Sequence, residues 1–185
     1  MKKNIFKLAM IFVGAISLTA CGDDDNPMVI NEEEVITTVE YTLTNTADAN
    51  DVVVLRSIDA DGEGPNDPIQ TVSGDLTANA DYEGSIRFLN ETENPAENIT
   101  EEVRDEADEH EVFYITNLSS LQITKTDTDD NNNPLGLFTD VTTGAAGMGN
   151  LTIVLRHEPN KPNDNTLAGA GGETDVQVVF EVAIQ

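Results

Sequence analysis

Residues 176–184 have the sequence VQVVFEVAI, and this stretch decides the expected fold. Apolar side chains recur at every second position, and most of the side chains between them are polar. Successive side chains of a β-strand point to opposite faces, so a period of two predicts a half-buried strand. The buried face is expected to hold Val176, Val178, Phe180, Val182 and Ile184. The residues expected to point away from it are Asp175, Gln177, Glu181 and Gln185.

Eight further segments carry strand signals and are separated by turn-forming residues. They are residues 34–44 (EVITTVEYTLT), 51–58, 69–72, 81–89, 111–116, 121–126, 135–142 and 151–157. One short helix is expected between about residues 95 and 108, because Glu101 and Glu102 would lie at its N-terminus, where negative charge is favoured. The pattern predicts an all-β fold, an antiparallel β-sandwich of immunoglobulin-like or transthyretin-like type with about eight to nine strands and one short helix.

Residues 1–20 have the features of a lipoprotein signal peptide. Three lysines precede an apolar run at residues 8–18, which is too short to span a membrane. The sequence LTAC at residues 18–21 follows, and Cys21 is the only cysteine of the chain. These four residues resemble the cleavage motif of bacterial lipoproteins, and the resemblance implies a covalent lipid on Cys21. The alternative, an accidental apolar start before an ordinary buried cysteine, leaves the position of Cys21 unexplained.

Asp23, Asp24 and Asp25 follow almost directly and resemble the surface-export signal of lipoproteins in the phylum Bacteroidota. The resemblance implies a protein that is lipid-anchored to the outer membrane and faces the cell exterior. If residues 21–31 are only a lipidated cysteine and an acidic tether, the protein would instead remain on the periplasmic face. In both cases we expect residues 32–185 to form a single β-sandwich domain.

The charge balance restricts the possible partners. Removal of residues 1–20 would leave 6 basic and 35 acidic residues, a formal net charge near −29. Such a surface repels nucleic acids and anionic lipid headgroups, so no nucleic acid is expected as a partner. It attracts cations, including metal ions and basic polypeptides. The acidity could equally be a property of a whole proteome, as in marine or halotolerant bacteria.

The two histidines are the most specific candidates for a binding site. His110 lies among carboxylates where the helix should meet a strand, and His157 lies at the end of another strand. Imidazole and carboxylate groups form a ligand set that zinc and other divalent transition metals accept. The candidate metal ligands are His110, His157, Glu109, Glu111 and Glu158. The alternative is that both histidines are ordinary surface residues of an acidic protein.

Two Asp-rich loops are candidates for calcium binding, which uses oxygen ligands. In the first loop acidic residues alternate, but Gln70 stands where an EF-hand has its clamping glutamate, so an EF-hand is excluded. Asp and Asn also form plain turns, which is the alternative interpretation of both loops. The candidate calcium ligands are Asp59, Asp61 and Glu63 in the first loop, and Asp127, Asp129 and Asn131 in the second.

The sequence contains no evident catalytic motif. Lipidation removes the only cysteine, no serine lies in a nucleophile elbow, and HExxH is absent. The glycine-rich segments 144–149 and 169–172 are expected to be loops, and they do not lie between a strand and a helix as a phosphate-binding loop does. We therefore expect a protein that is not an enzyme.

Several segments together resemble a family of small Bacteroidota lipoproteins that are often labelled "type 1 periplasmic binding fold". They are residues 31–43 (NEEEVITTVEYTL), 90–103 (NETENPAENITEEV), 105–110 (DEADEH), 155–162 (LRHEPNKP) and 171–184 (GGETDVQVVFEVAI). The label describes a two-domain α/β architecture, which alternating strands and one helix cannot build, so the expected fold follows the periodicity. The family resembles accessory lipoproteins of TonB-dependent outer-membrane receptors.

Together these features predict a non-enzymatic outer-membrane lipoprotein that captures a ligand or assists a TonB-dependent receptor. A divalent metal, zinc or calcium, is the candidate ligand. The alternative is a structural or adhesive module that binds protein or polysaccharide without a metal. An exposed apolar or aromatic patch, involving for example Phe113, Tyr114 or Phe138, would favour that alternative.

Overall fold

Nine strands and two short helices form the regular structure of the described residues, 34–62 and 64–185, in this computed structural model. The strands are β1 (Thr38–Asn45), β2 (Val52–Ile58), β3 (Ile69–Val72), β4 (Asp81–Leu89), β5 (His110–Thr116), β6 (Leu121–Lys125), β7 (Phe138–Thr143), β8 (Gly147–His157) and β9 (Glu173–Ile184). The helices are α1 (Ile99–Asp105) and α2 (Leu167–Ala170). The strands pair antiparallel in two sheets, which confirms the predicted all-β sandwich.

The larger sheet has six strands in the order β3-β2-β1-β4-β7-β6, and the smaller has three in the order β5-β8-β9. β1 lies inside the larger sheet, where it pairs with both β2 and β4. The smaller sheet has β8 at its centre, paired with β5 on one side and β9 on the other. This division into six and three strands differs from the four and three strands of an immunoglobulin constant domain.

The core lies between the inner faces of the two sheets. Tyr41 and Phe88 from the larger sheet and Leu155 and Phe180 from the smaller sheet are fully or almost fully buried in one apolar cluster. Each position follows the alternation of its strand, because every second side chain faces the opposite sheet. Burial of each such side chain contributes roughly 1.5–3 kcal/mol, so this alternation is the main stabilising pattern of the fold.

Helix α1 connects β4 of the larger sheet to β5 of the smaller one. Its buried face includes Val103, and the Thr100 hydroxyl accepts a hydrogen bond from the Phe88 backbone N–H at 2.8 Å. These contacts fix the helix against the end of β4 and so fix where the chain enters β5. Neither of the two helices that the structure describes is long and apolar enough to cross a membrane.

The structure corrects several predicted boundaries. β8 begins at Gly147 rather than near residue 151, because Gly147 and Gly149 continue the ladder with β9 although glycine is a weak strand former. Residues 147–149 are therefore not a loop. In the second glycine-rich segment, Gly169 and Ala170 belong to α2, which the sequence did not predict. β7 begins later than predicted, at Phe138.

Candidate metal centre

Four side chains from four different parts of the chain meet where β5 begins and β8 ends. They belong to Glu34, His110, His157 and Asp175, and each offers one ligand atom within 4.8 Å of the others. Glu34 lies just before β1, while the other three come from the three strands of the smaller sheet. The structure thus brings together the two histidines that the sequence singled out, and it adds two carboxylates that the sequence analysis missed.

The strand register places the two imidazoles side by side. His110 and His157 are directly paired across β5 and β8, so their side chains leave the sheet on the same face. That face also carries Val112 and Leu155, which belong to the core between the sheets. The two rings stack with their centroids 4.7 Å apart and their planes inclined by 23°. The histidines therefore continue the inward-facing rows of β5 and β8.

The turn after α1 determines which nitrogen of His110 faces the cluster. His110 Nδ1 lies 3.2 Å from the carbonyl oxygen of Glu106, the residue that caps α1. A carbonyl oxygen can only accept, so we assign a proton to Nδ1. In the neutral ring Nε2 then carries the lone pair, and Nε2 is the atom directed at Glu34. A metal-ligating histidine usually has its second nitrogen held in this way by a carbonyl or a carboxylate.

Asp175 reaches the cluster because of a β-bulge. The pairing of β8 with β9 runs from Leu155 opposite Val176 to Arg156 opposite Thr174, which leaves Asp175 as an extra residue. A bulge interrupts the alternation of the strand and redirects the side chain of the inserted residue. The Asp175 side chain is 1% exposed. The sequence-based placement of Asp175 on the outward face is therefore wrong.

Glu34 closes the cluster from the side of the larger sheet. Its Oε1 lies 2.9 Å from His110 Nε2, and its Oε2 lies 4.0 Å from His157 Nδ1. Oε2 is buried and has no hydrogen-bond partner among the described residues. A buried oxygen without such a partner is uncommon, since leaving it unsatisfied costs about 1–3 kcal/mol. A cation bound between the four side chains would satisfy it.

The spacing of the ligand atoms fits a tetrahedral metal ion. His110 Nε2 lies 2.9 Å from Glu34 Oε1 and 3.9 Å from Asp175 Oδ2. His157 Nδ1 lies 3.7 Å from Asp175 Oδ1 and 4.0 Å from Glu34 Oε2, so each carboxylate faces the two rings with different oxygens. Ligands bound at 2.0–2.1 Å at the corners of a tetrahedron lie about 3.3 Å apart. Small side-chain adjustments would therefore bring all four into coordination distance.

The cluster is strongly electrostatically coupled. Burial alone would lower the pKa of His110, but its hydrogen bond to Glu34 and the charges of Glu34 and Asp175 together raise it. Burial alone would raise the pKa of Glu34, but the hydrogen bond from His110 and the nearby imidazoles lower it. Without a metal, the two groups therefore favour an imidazolium–carboxylate pair. This pair is the state that a metal ion would have to displace.

Two of the predicted ligands lie at the rim of this cluster. Glu109, His157 and Glu158 form a second group whose ligand atoms lie within 4.8 Å of one another. His157 Nε2 is 4.0 Å from Glu109 Oε2, while its Nδ1 faces the inner carboxylates. Glu109 and Glu158 are exposed. His157 is thus shared between a buried group and an acidic rim that faces solvent.

Glu111 does not belong to this cluster, contrary to the sequence-based expectation. It follows His110 on β5, so the strand alternation sends its side chain to the opposite face. There Glu111 Oε1 accepts a hydrogen bond from Lys125 Nζ at 2.6 Å, and Oε2 accepts one from Asn163 Nδ2 at 2.6 Å. Both carboxylate oxygens are engaged in contacts away from the two histidines.

The first Asp-rich loop shows no convergence of oxygen ligands among its described residues. Asp61 Oδ2 accepts a hydrogen bond from Asn66 Nδ2 at 2.5 Å, so this carboxylate closes its own turn. Asp59 continues from β2, and its backbone N–H donates to the carbonyl of Thr37. Glu63 lies outside the described residues, as does Cys21. No member of this loop appears in a ligand-type group within residues 34–62 and 64–185.

The second Asp-rich loop uses its carboxylates to hold backbone, which explains its composition without calcium. Asp127 accepts hydrogen bonds from the backbone N–H groups of residues 136, 137 and 138 at 2.9–3.2 Å. Asp129 accepts from the backbone N–H groups of Asn131 and Asn133 and lies 3.6 Å from Lys161 Nζ. These contacts occupy the oxygens that a calcium ion would need, so the calcium interpretation of Asp127, Asp129 and Asn131 gains no support.

Comparisons with protein-family models, with curated proteins and with solved structures gave no match. The sequence analysis missed Glu34 because it took this residue as the start of a strand over residues 34–44, and it missed Asp175 because a bulge turns it inward. No local signal marks either residue as a ligand, because carboxylates are abundant along the whole chain.

Proposed function

We propose that this protein binds a divalent transition-metal ion, with zinc as the first candidate, through Glu34, His110, His157 and Asp175. The observation that carries the proposal is the convergence of two imidazoles and two carboxylates within 4.8 Å. Their side chains are 3%, 0%, 9% and 1% exposed for Glu34, His110, His157 and Asp175, respectively. Such a set is costly to bury unless its charges are compensated.

A divalent cation compensates this set well. Two carboxylates and two neutral imidazoles carry a charge of −2, which a divalent ion cancels. Without the ion, compensation requires that both imidazoles hold an extra proton while their rings stack 4.7 Å apart. Stacked imidazolium rings repel each other, because like charges in a poorly hydrated site interact strongly. Metal binding removes both the repulsion and the unsatisfied oxygen of Glu34.

The donor set favours zinc over calcium. Calcium takes six to eight oxygen ligands, whereas this cluster offers two carboxylates and two nitrogens. Structural zinc sites have four protein ligands, and catalytic ones keep an open position for water. Four protein side chains therefore support binding of the ion rather than hydrolysis by it. The exposed rim of Glu109 and Glu158 offers a route by which the ion reaches His157.

In the cellular context that the sequence suggests, this site would serve metal capture. A lipid on Cys21 would hold the domain at the outer membrane, with the exterior favoured over the periplasmic face, and a TonB-dependent receptor would be the partner that takes over the ion. The alternative of a metal-free interaction module would use exposed apolar side chains, of which Ile69, Ile115 and Met148 are examples. Phe113 is buried and Tyr114 is half-buried, so of the three aromatic residues only Phe138 is exposed.

Isothermal titration calorimetry on chelator-treated protein tests the proposal. Zinc should bind at one ion per chain, and calcium should not compete at equal concentration. Glu34→Gln keeps the shape of the side chain but removes a charged ligand, so zinc affinity should fall by about tenfold or more. Glu40→Gln is the matched control, because Glu40 pairs with Arg56 and Arg87 rather than with the histidines. His157→Ala should weaken zinc binding as well.

The proposal fails if the wild-type protein shows no saturable zinc binding. It also fails if Glu34→Gln and His157→Ala bind zinc as tightly as Glu40→Gln. In either case the cluster would be an ion-pair network that joins the start of β1 to the smaller sheet.

A further inference from the structure

Residues 21–185 contain only two lysines, and both line the same pocket. The pocket has a volume of about 290 Å³. Its walls come from β5, from β6 and from two loops, residues 133–134 and 161–165. Glu111 lines it from the face of β5 opposite to His110, and none of its lining residues belongs to the proposed metal centre.

The first lysine is held in place at the pocket wall. Lys125 Nζ donates to Glu111 Oε1 at 2.6 Å and lies 4.1 Å from the centre of the Phe113 ring. Asn163 Nδ2 donates to the other oxygen of Glu111. The Glu111 carboxylate is therefore fully engaged, while an ammonium group has three N–H donors. At least one donor of Lys125 remains for a further acceptor.

The second lysine approaches from the opposite loop. Lys161 Nζ donates to the backbone carbonyl of Ala107 at 2.6 Å and lies 3.6 Å from Asp129 Oδ2. The Lys125 and Lys161 side chains are 9% and 5% exposed, although lysine is almost never buried without a specific reason. Burial lowers the pKa of both lysines, and the charge of Lys161 lowers that of Lys125 further.

Each ammonium group has a carboxylate partner, Glu111 for Lys125 and Asp129 for Lys161, and each keeps an N–H donor beyond the contacts named above. The chain is otherwise strongly acidic, so this pocket brings together the two lysines of residues 21–185 as donors for an anion. An oxyanion would accept these remaining N–H donors. The side-chain amides of Asn163 and Asn165 in the same wall could supply neutral hydrogen bonds to the rest of a polar ligand.

We propose that this pocket binds a small anionic molecule whose carboxylate or phosphate group is held by Lys125 and Lys161. The proposal does not depend on metal binding. In a purely structural interpretation, the two ion pairs only hold the loops around residues 129 and 161 in place. The proposal differs because it requires a ligand to reach both ammonium groups.

NMR of ¹³C-lysine-labelled protein tests this inference, with succinate and inorganic phosphate as the two probes. The side-chain signals of Lys125 and Lys161, assigned from single variants, should shift saturably with succinate, phosphate or both. A response to one probe alone identifies that oxyanion. Succinamide, which has the same skeleton without the charge, should produce no saturable shift.

Two variants should change the affinity in opposite directions. Lys161→Met should weaken binding by about tenfold or more, the effect of one lost charge-assisted hydrogen bond. Glu111→Gln should strengthen it, because the neutral amide no longer competes for Lys125. Arg87→Met, at a side chain that is 55% exposed and pairs with Glu40, is the control and should leave it unchanged. The inference is overturned if neither probe shifts the two signals, or if Lys161→Met and Glu111→Gln bind the probes as the wild type does.

Discussion

The substitution Asp175→Asn tests the metal centre without changing the size of the side chain. Asp175 lies 3.7 Å from His157 and 3.9 Å from His110 and is almost completely buried. Asparagine fills the same space at the bulge but supplies no charge to a cation. The protein should therefore keep its fold, while the stabilisation that zinc provides should largely disappear.

The size of the effect follows from linkage. Zinc at 100 times its Kd stabilises the folded state by about 2.7 kcal/mol. Outer-shell changes at metal sites reduce affinity by about 10–100-fold, so loss of the direct ligand Asp175 should reduce it by about 100-fold. At the same zinc concentration the variant would then gain only about 0.4 kcal/mol. The difference of about 2.3 kcal/mol corresponds to a Tm difference of about 5–9 °C for a chain of this length.

Thermal unfolding monitored by circular dichroism measures this directly. Each protein is melted with chelator and with zinc, and the zinc-induced change in Tm is compared between variants. Glu181→Gln is the control, because Glu181 lies on the same strand β9 but is exposed. An equal zinc-induced rise in Asp175→Asn and in Glu181→Gln would show that Asp175 is not a ligand and would refute the reasoning.

Three further predictions concern the fold. Asp127→Ala should lower the free energy of unfolding by about 3 kcal/mol in urea titrations, because three backbone donors lose a charged acceptor, and added calcium should not alter this loss. Gly84→Ala should lower the free energy of unfolding by about 1–3 kcal/mol, since its methyl group would clash with the Thr139 and Tyr41 hydroxyls. The double variant Gly84→Ala/Thr139→Ala should recover part of this loss. Full stability of the single variant would contradict the packing. The Asp51 carboxylate accepts three side-chain hydrogen bonds, of which the one from Asn45 lowers its pKa most. The stabilisation by this carboxylate is present above about pH 4 and is lost as the pH falls through its folded-state pKa. The free energy of unfolding of Asp51→Asn should therefore depend less steeply on acid pH in the same titrations.

The larger part of the fold follows from local patterns. Alternation over residues 34–44 and 176–184 predicted strands whose inward residues, such as Tyr41 and Phe180, are indeed in the core. The start of β8 was missed because Gly147 and Gly149 carry no side-chain pattern. Their strand structure depends on pairing with Val182 and Ile184, which are distant in sequence. Pairing of this kind cannot be inferred from a local window.

The candidate site was predictable only in part, for a related physical reason. The two histidines stood out because the chain has no others, but their meeting depends on the register of β5 with β8. Glu111 was predicted as a ligand from its position beside His110, although adjacent residues of a strand face opposite ways. Sequence proximity is therefore misleading for ligands on strands, and partners such as Glu34 come from elsewhere in the chain.

The bulge at Asp175 makes the site separable from the sheet that carries it. Deleting this one residue would let Val176 follow Thr174 directly, opposite Leu155 and Arg156 respectively, and every other pair between β8 and β9 would stay in place. A single-codon deletion would thus remove a ligand without disturbing the core, and the reverse insertion would restore it. Along a lineage, the chemistry of this domain could be lost or regained in one step while its architecture stayed constant.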